Sequence, residues 1–135
     1  MRFVIALIAT ALFATSAQAD SHALKGDAIK ALIAGNTLVA ETQLPYFADR
    51  KDKTFYLHIK TDGALKILTF LGDIDTGKWE ITDEGLYCSQ YDNTRKGKKS
   101  CYRVEKTKTG YQFFDARRKI VSSTFIVKPG NAKGL

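Results

Sequence analysis

The sequence predicts a mainly β protein: an antiparallel small barrel or strongly curved meander sheet of about eight strands, with one short N-terminal helix. Three observations predict it. After Asn36 the chain reads as short runs of alternating apolar and polar residues, the period of strands with one buried face. Connections between the runs are short and rich in Gly, Asp, Asn and Lys, and short links pair successive strands antiparallel. A meander this long accumulates twist and leaves exposed edges, and both favour curling toward closure.

Residues 1–19 read as a secretory signal peptide. Arg2 supplies the positive start, Phe3 to Phe13 form an apolar run broken only by Thr10, and Ala17-Gln18-Ala19 is a small-x-small cleavage site. The apolar run is shorter than the roughly 20 residues that span a bilayer. The expectation is a mature chain from Asp20, periplasmic or secreted, with no transmembrane segment. Loss of Arg2 lowers the formal net charge from +7 to +6. Residues 20–128 then form a single β-rich domain, and 129–135, with Pro129, Gly130 and Gly134, read as a flexible tail.

Within the domain, Leu24 to Asn36 carries the helix. Ile29, Leu32 and Ile33 have the spacing of one buried stripe, Asp27 suits the first turn, and Gly35 can end the helix in the left-handed conformation. So short a helix must dock against the sheet. Strands are expected over Thr37–Thr42, then Lys53–Thr61 with Phe55, Leu57 and Ile59 on one face. Asp62-Gly63 is a hairpin signal, and Ala64–Leu71 returns with Leu65, Ile67 and Leu71 facing one way. Gly72 to Gly77 reads as a loop, and its Asp73 and Asp75 as turn formers, since the calcium-loop pattern is incomplete. Lys78–Thr82 follows, with Trp79 and Ile81 on one face. Leu86–Tyr91, Cys101–Val104, Tyr111–Asp115 and Ile120–Val127 complete the series.

Cys88 and Cys101 are the two cysteines of the chain, and they flank the turn Asp92 to Ser100. An exported chain meets an oxidising compartment, where such a pair forms a disulfide. In a hairpin the two fall opposite each other, and closing the loop contributes about 3 kcal/mol. Tyr87, Ser89, Tyr91, Tyr102 and Val104 form the more apolar face of this hairpin and are expected inward, with the disulfide nearer the surface.

Arg95, Lys96, Lys98 and Lys99 crowd one turn. A solvated turn that blocks edge aggregation is one reading; a docking site for an acidic protein, glycan or membrane surface is the other. Nucleic acid is not expected, because the neighbouring tyrosines point inward and the chain is exported. Phe55, Trp79, Phe113 and Phe125 are candidate interior residues that line a ligand if the barrel is hollow. His58 lies on the polar side of its strand with no nucleophile motif beside it. No catalytic constellation, metal set or cofactor motif is legible, so a non-enzymatic role is expected.

Three pieces together resemble a known family. They are Leu24-x-Gly26-x-x-Ile29-x-x-Leu32-x-x-Gly35-Asn36-Thr37, then Gly77-Lys78-Trp79-x-Ile81-x-x-x-Gly85-Leu86-Tyr87-Cys88, and Cys101-Tyr102-Arg103-Val104 through Val127-Lys128-Pro129-Gly130-Asn131. In this order they resemble the small exported bacterial proteins catalogued as domain of unknown function 995. The resemblance implies a shared scaffold for the Trp and Cys positions and transfers no activity. More loosely, Gly77-Lys78-Trp79 followed by paired strands is similar to lipocalin-like small barrels, an analogy of fold alone. The function expected is an exported binding or interaction domain docking through the basic hairpin. The alternatives are a carrier of a small apolar ligand and an inhibitor of a cell-wall or secreted enzyme.

Overall fold

Every strand of the chain pairs with its sequence neighbours, and the last pairs with the first. The computed structural model describes residues 22–135; the expected signal peptide lies outside the described residues. The helix α1 spans Gly26–Ile33. The strands are β1 Thr37–Thr42, β2 Thr54–Ile59, β3 Ala64–Leu68, β4 Ile74–Ile81, β5 Tyr87–Tyr91, β6 Ser100–Lys106, β7 Tyr111–Asp115 and β8 Ile120–Lys128. They form a closed antiparallel barrel in chain order, so the predicted barrel is the observed one. Closure is made by β1 against β8, with Leu38 opposite Val127 and Ala40 opposite Phe125. It leaves no long unpaired edge in the sheet.

Alternation decides what fills the barrel. Leu38 and Ala40, Leu57 and Ile59, Leu65 and Ile67, Trp79, Tyr87 and Tyr91, Tyr102 and Val104, Phe113 and Phe125 form one buried cluster. The helix joins it through Ile29 and Ile33, both fully buried, while Leu32 packs at its margin. Each such isoleucine contributes about 1.5–3 kcal/mol relative to exposure. The helix begins where Gly26 backs onto Ile81 and Gly85, and it ends at Gly35, whose N–H donates to the Ile59 carbonyl at 2.7 Å. At Gly35 φ is +80°, which only glycine adopts without strain. The helix therefore lies across one end of the barrel, the helix end. The opposite end carries the β1–β2, β3–β4, β5–β6 and β7–β8 connections and is called the loop end.

Two expectations need correction. Leu71 does not share a face with Leu65 and Ile67: β3 stops at Leu68, and a turn closed by Gly72 N–H to Thr69 O (2.9 Å) leaves Leu71 exposed. Nor is Gly72–Gly77 a loop, since β4 starts at Ile74. Gly77 sits within that strand because a Cβ there would lie 2.4 Å from the Gln90 carbonyl oxygen. Glycine inside a strand marks such a close backbone approach. Asp75 consequently points into the barrel and is buried.

Both chain ends described are tied to the sheet. The N-terminal segment bridges β6, with Ala23 opposite Glu105 and Leu24 N–H donating to Val104 O at 2.8 Å. In the tail expected to be flexible, Gly130 O accepts from the buried Thr37 hydroxyl at 2.6 Å, and Ala132 N–H donates to that hydroxyl's oxygen at 3.0 Å. Lys133 Nζ lies 4.2 Å from the Tyr56 ring centroid.

Candidate functional site at the loop end of the barrel

Cys88 and Cys101 are directly opposite in the β5–β6 ladder, their Cα atoms 4.0 Å apart, and they form a disulfide. The neighbours Tyr87, Ser89, Tyr91, Tyr102 and Val104 alternate with them and are buried inside the barrel. The outward disulfide is not uniformly exposed. Cys101 is half-buried, while Cys88, between Glu80 and Cys101 in the sheet, is 1% exposed.

Beyond the disulfide the chain turns through a short 3-10 segment, Thr94–Gly97. Here Arg95 (φ 53°) and Lys96 (φ 56°) are left-handed in succession, a conformation costing about 1–2 kcal/mol for each non-glycine residue. The compensation comes from Asp75. Its carboxylate accepts from Thr94 N–H (2.6 Å), the Thr94 hydroxyl (2.7 Å) and Asn93 N–H (3.0 Å). Burial alone would raise its pKa, but the donors from Thr94, Asn93 and Thr76 outweigh it and lower the value to about 2. The carboxylate of β4 thus fixes the shape of a turn between β5 and β6.

That shape sorts the four predicted cations. Arg95 folds toward the barrel: its Nη1 donates to Tyr102 Oη at 2.7 Å, and its guanidinium carbon lies 5.2 Å from the Tyr91 ring centroid and 5.8 Å from that of Tyr102. Lys99 turns back onto β4 and pairs with Glu80, whose pKa is lowered by that hydrogen bond and charge. Lys96 and Lys98 are exposed and make no ion pair among the described residues. All four cations are exposed, but Arg95 and Lys99 are engaged within the protein while Lys96 and Lys98 are free of ion pairs among the described residues.

The predicted aromatics divide differently. Phe113 and Phe125 stack at 4.5 Å between ring centroids, and Tyr87 and Tyr111 extend the stack at 4.9 and 5.5 Å. Trp79 is at the helix end, where its Nε1 donates to Lys60 O at 2.8 Å. Phe55 is half-buried against the core. Ser89 stands between the Tyr87 and Tyr91 hydroxyls, and burial raises the pKa of both tyrosines. Although these groups are close, neither Tyr87 Oη nor Ser89 Oγ makes a hydrogen bond of good geometry within the protein.

The sequence reading missed the apolar side of the same end. Tyr46 is 70% exposed, Leu71 65% and Ile74 64%. Tyr46 contacts Phe47, which meets Phe70 edge-on at 5.0 Å, and Arg50 lies 4.9 Å from the Phe70 centroid. Across the β7–β8 turn, Arg118 pairs with Asp115 at 2.8 Å. The four connections therefore converge on one surface. Its signals were Tyr46-Phe47 and Phe70-Leu71 beside turn residues, but only the pairing of β2 with β3 brings them together.

Among the described residues, no three or more His, Cys, Asp or Glu side chains are grouped so as to hold a metal ion. His58 lies between Thr37 and Lys66 in the sheet. Among the same residues no helix is long and apolar enough to cross a membrane. The disulfide and that helix length are compatible with an exported protein. No family model matches the chain, and neither does any curated protein or solved structure.

Proposed function

We propose that the protein is an exported, non-enzymatic binding domain, periplasmic or secreted, that docks onto an acidic partner through the loop end of the barrel. One observation carries this reading: the basic turn is held rigid from beneath by Asp75, Arg95 and the disulfide, while Lys96 and Lys98 remain exposed. A held turn presents its charges with little ordering cost on binding, and exposed cations steer an acidic partner to it. The continuous stack of Tyr87, Phe113, Phe125 and Tyr111 through the interior favours docking over carriage of a ligand inside the barrel.

Chromatography on immobilised polyglutamate at rising salt tests the reading. Lys96→Ser with Lys98→Ser should cut retention by about thirtyfold, from two cations each contributing on the order of 1 kcal/mol near an anionic surface. Retention that is unchanged by these substitutions and insensitive to salt would overturn it.

A further inference from the structure

Among the described residues, three of the four large hydrophobic side chains that are exposed, Tyr46, Leu71 and Ile74, are at the loop end; the fourth, Ile126, lies on β8. Tyr46 comes from the β1–β2 connection, Leu71 from the tip of the β3–β4 hairpin and Ile74 from the start of β4. Phe47 and Phe70, in contact, join the two connections. Exposed apolar groups that cluster at one end, rather than scatter singly, mark an interaction surface.

The same end carries Arg50, Lys51, Lys96, Lys98, Arg117 and Lys119, which make no ion pair among the described residues. Most of its acids accept hydrogen bonds while keeping their charge, and one, Asp115, is paired with a cation. Asp52 accepts from Thr54 N–H, Asp75 from the basic turn, Asp92 from the Thr76 hydroxyl, and Asp115 from Arg117 N–H and the Arg118 side chain. Asp49 and Asp73 remain. An apolar tip ringed by unpaired cations has the chemistry of a surface that dips into a bilayer interface. The hydrocarbon enters among acyl chains, and the cations meet anionic headgroups. Tyrosine suits that boundary, with an apolar ring and a polar tip.

We propose that the acidic partner is an anionic lipid surface, on which the barrel stands by its loop end with Tyr46, Leu71 and Ile74 inserted. This rests on the docking reading above and names its partner. An acidic protein offers charge for the lysines but would need an apolar patch of its own to cover Tyr46, Leu71 and Ile74. A lipid interface accounts for both.

The test is flotation of the exported protein with vesicles of phosphatidylcholine, with and without phosphatidylglycerol, all variants sharing one N-terminus. Binding should require phosphatidylglycerol. It should weaken by about tenfold or more in Tyr46→Ser/Leu71→Ser/Ile74→Ser, and comparably in Lys96→Ser/Lys98→Ser. Thermal unfolding checks that the variants are folded, and Leu71→Ser alone provides the readout if the triple variant is not. Salt-sensitive vesicle binding that ignores the apolar substitutions overturns insertion and leaves docking by charge. If no vesicle binding occurs while polyglutamate retention still depends on Lys96 and Lys98, the lipid partner is overturned and an acidic protein takes its place. Failure on both matrices removes the docking reading as well.

Discussion

The two ends of this barrel are closed by different physics. At the helix end, Ile29 and Ile33 are fully buried against the core, and Trp79 adds a large ring with its one polar atom satisfied. At the loop end, closure is polar and directional: a buried carboxylate holds Asn93 and Thr94, just before two left-handed residues, and a guanidinium lies over two tyrosine rings. Apolar closure does not hang on the titration of a particular group. Polar closure leaves cations at the surface and ties their placement to hydrogen bonds that single substitutions can remove. The difference teaches that a charge run need not act as one unit: Arg95 and Lys99 are engaged by Tyr102 and Glu80, while Lys96 and Lys98 make no ion pair among the described residues.

Substitutions can break this comparison in graded steps. Ile33→Ala, at the apolar end, should cost the most, about 2–5 kcal/mol, read from urea unfolding. Replacing Cys88 and Cys101 together by Ser should cost about 3 kcal/mol, because the unfolded chain regains the freedom of the loop that the bond closes. Retention on polyglutamate should weaken with it as the turn loosens.

Asp75→Asn should cost about 1.5–3 kcal/mol at neutral pH, as charge-assisted bonds to Thr94 and Asn93 are weakened. Here the sign of the pH dependence is fixed. The folded carboxyl titrates at about 2, below its ordinary value of 3.8. Its stabilisation is therefore complete above that ordinary value and lost as pH falls through it toward the folded one. Equilibrium unfolding across this range should show a shallower loss in Asp75→Asn than in the parent.

Arg95→Ala should cost about 1 kcal/mol, the sum of one hydrogen bond and partly exposed contacts with two rings. Lys96→Ser with Lys98→Ser should change stability by less than about 0.5 kcal/mol, the ordinary effect of exposed positions. Comparable losses of stability from Arg95 and from the lysine pair would erase the distinction between engaged and free cation.

Much of the fold was legible because alternation is local. Thr37–Thr42 and Tyr111–Asp115 are strands at the expected residues, and the inward face of the cysteine hairpin follows from its tyrosines. Legibility failed where a distant contact overruled local chemistry. Gly-Asp-Ile-Asp-Thr-Gly has the composition of a turn, yet the close passage of Gln90 accounts for Gly77 and the basic turn for Asp75. Arg95 reads as one more solvated cation, because its partner Tyr102 is recognised only once β5 and β6 are paired. The apolar rim was hidden for the same reason: Tyr46 lies far in sequence from Leu71 and Ile74, and the pairing of β2 with β3 brings their connections to one end.

A paired measurement on two variants tests the division of the basic turn most directly: midpoint of unfolding and salt-dependent retention on polyglutamate, for Arg95→Ala and for Lys96→Ser/Lys98→Ser. The account predicts opposite outcomes. Arg95→Ala unfolds earlier and keeps most of its retention, whereas the lysine variant keeps its midpoint and elutes early. The reverse pattern, with Arg95 governing retention and the lysines governing stability, would contradict the account.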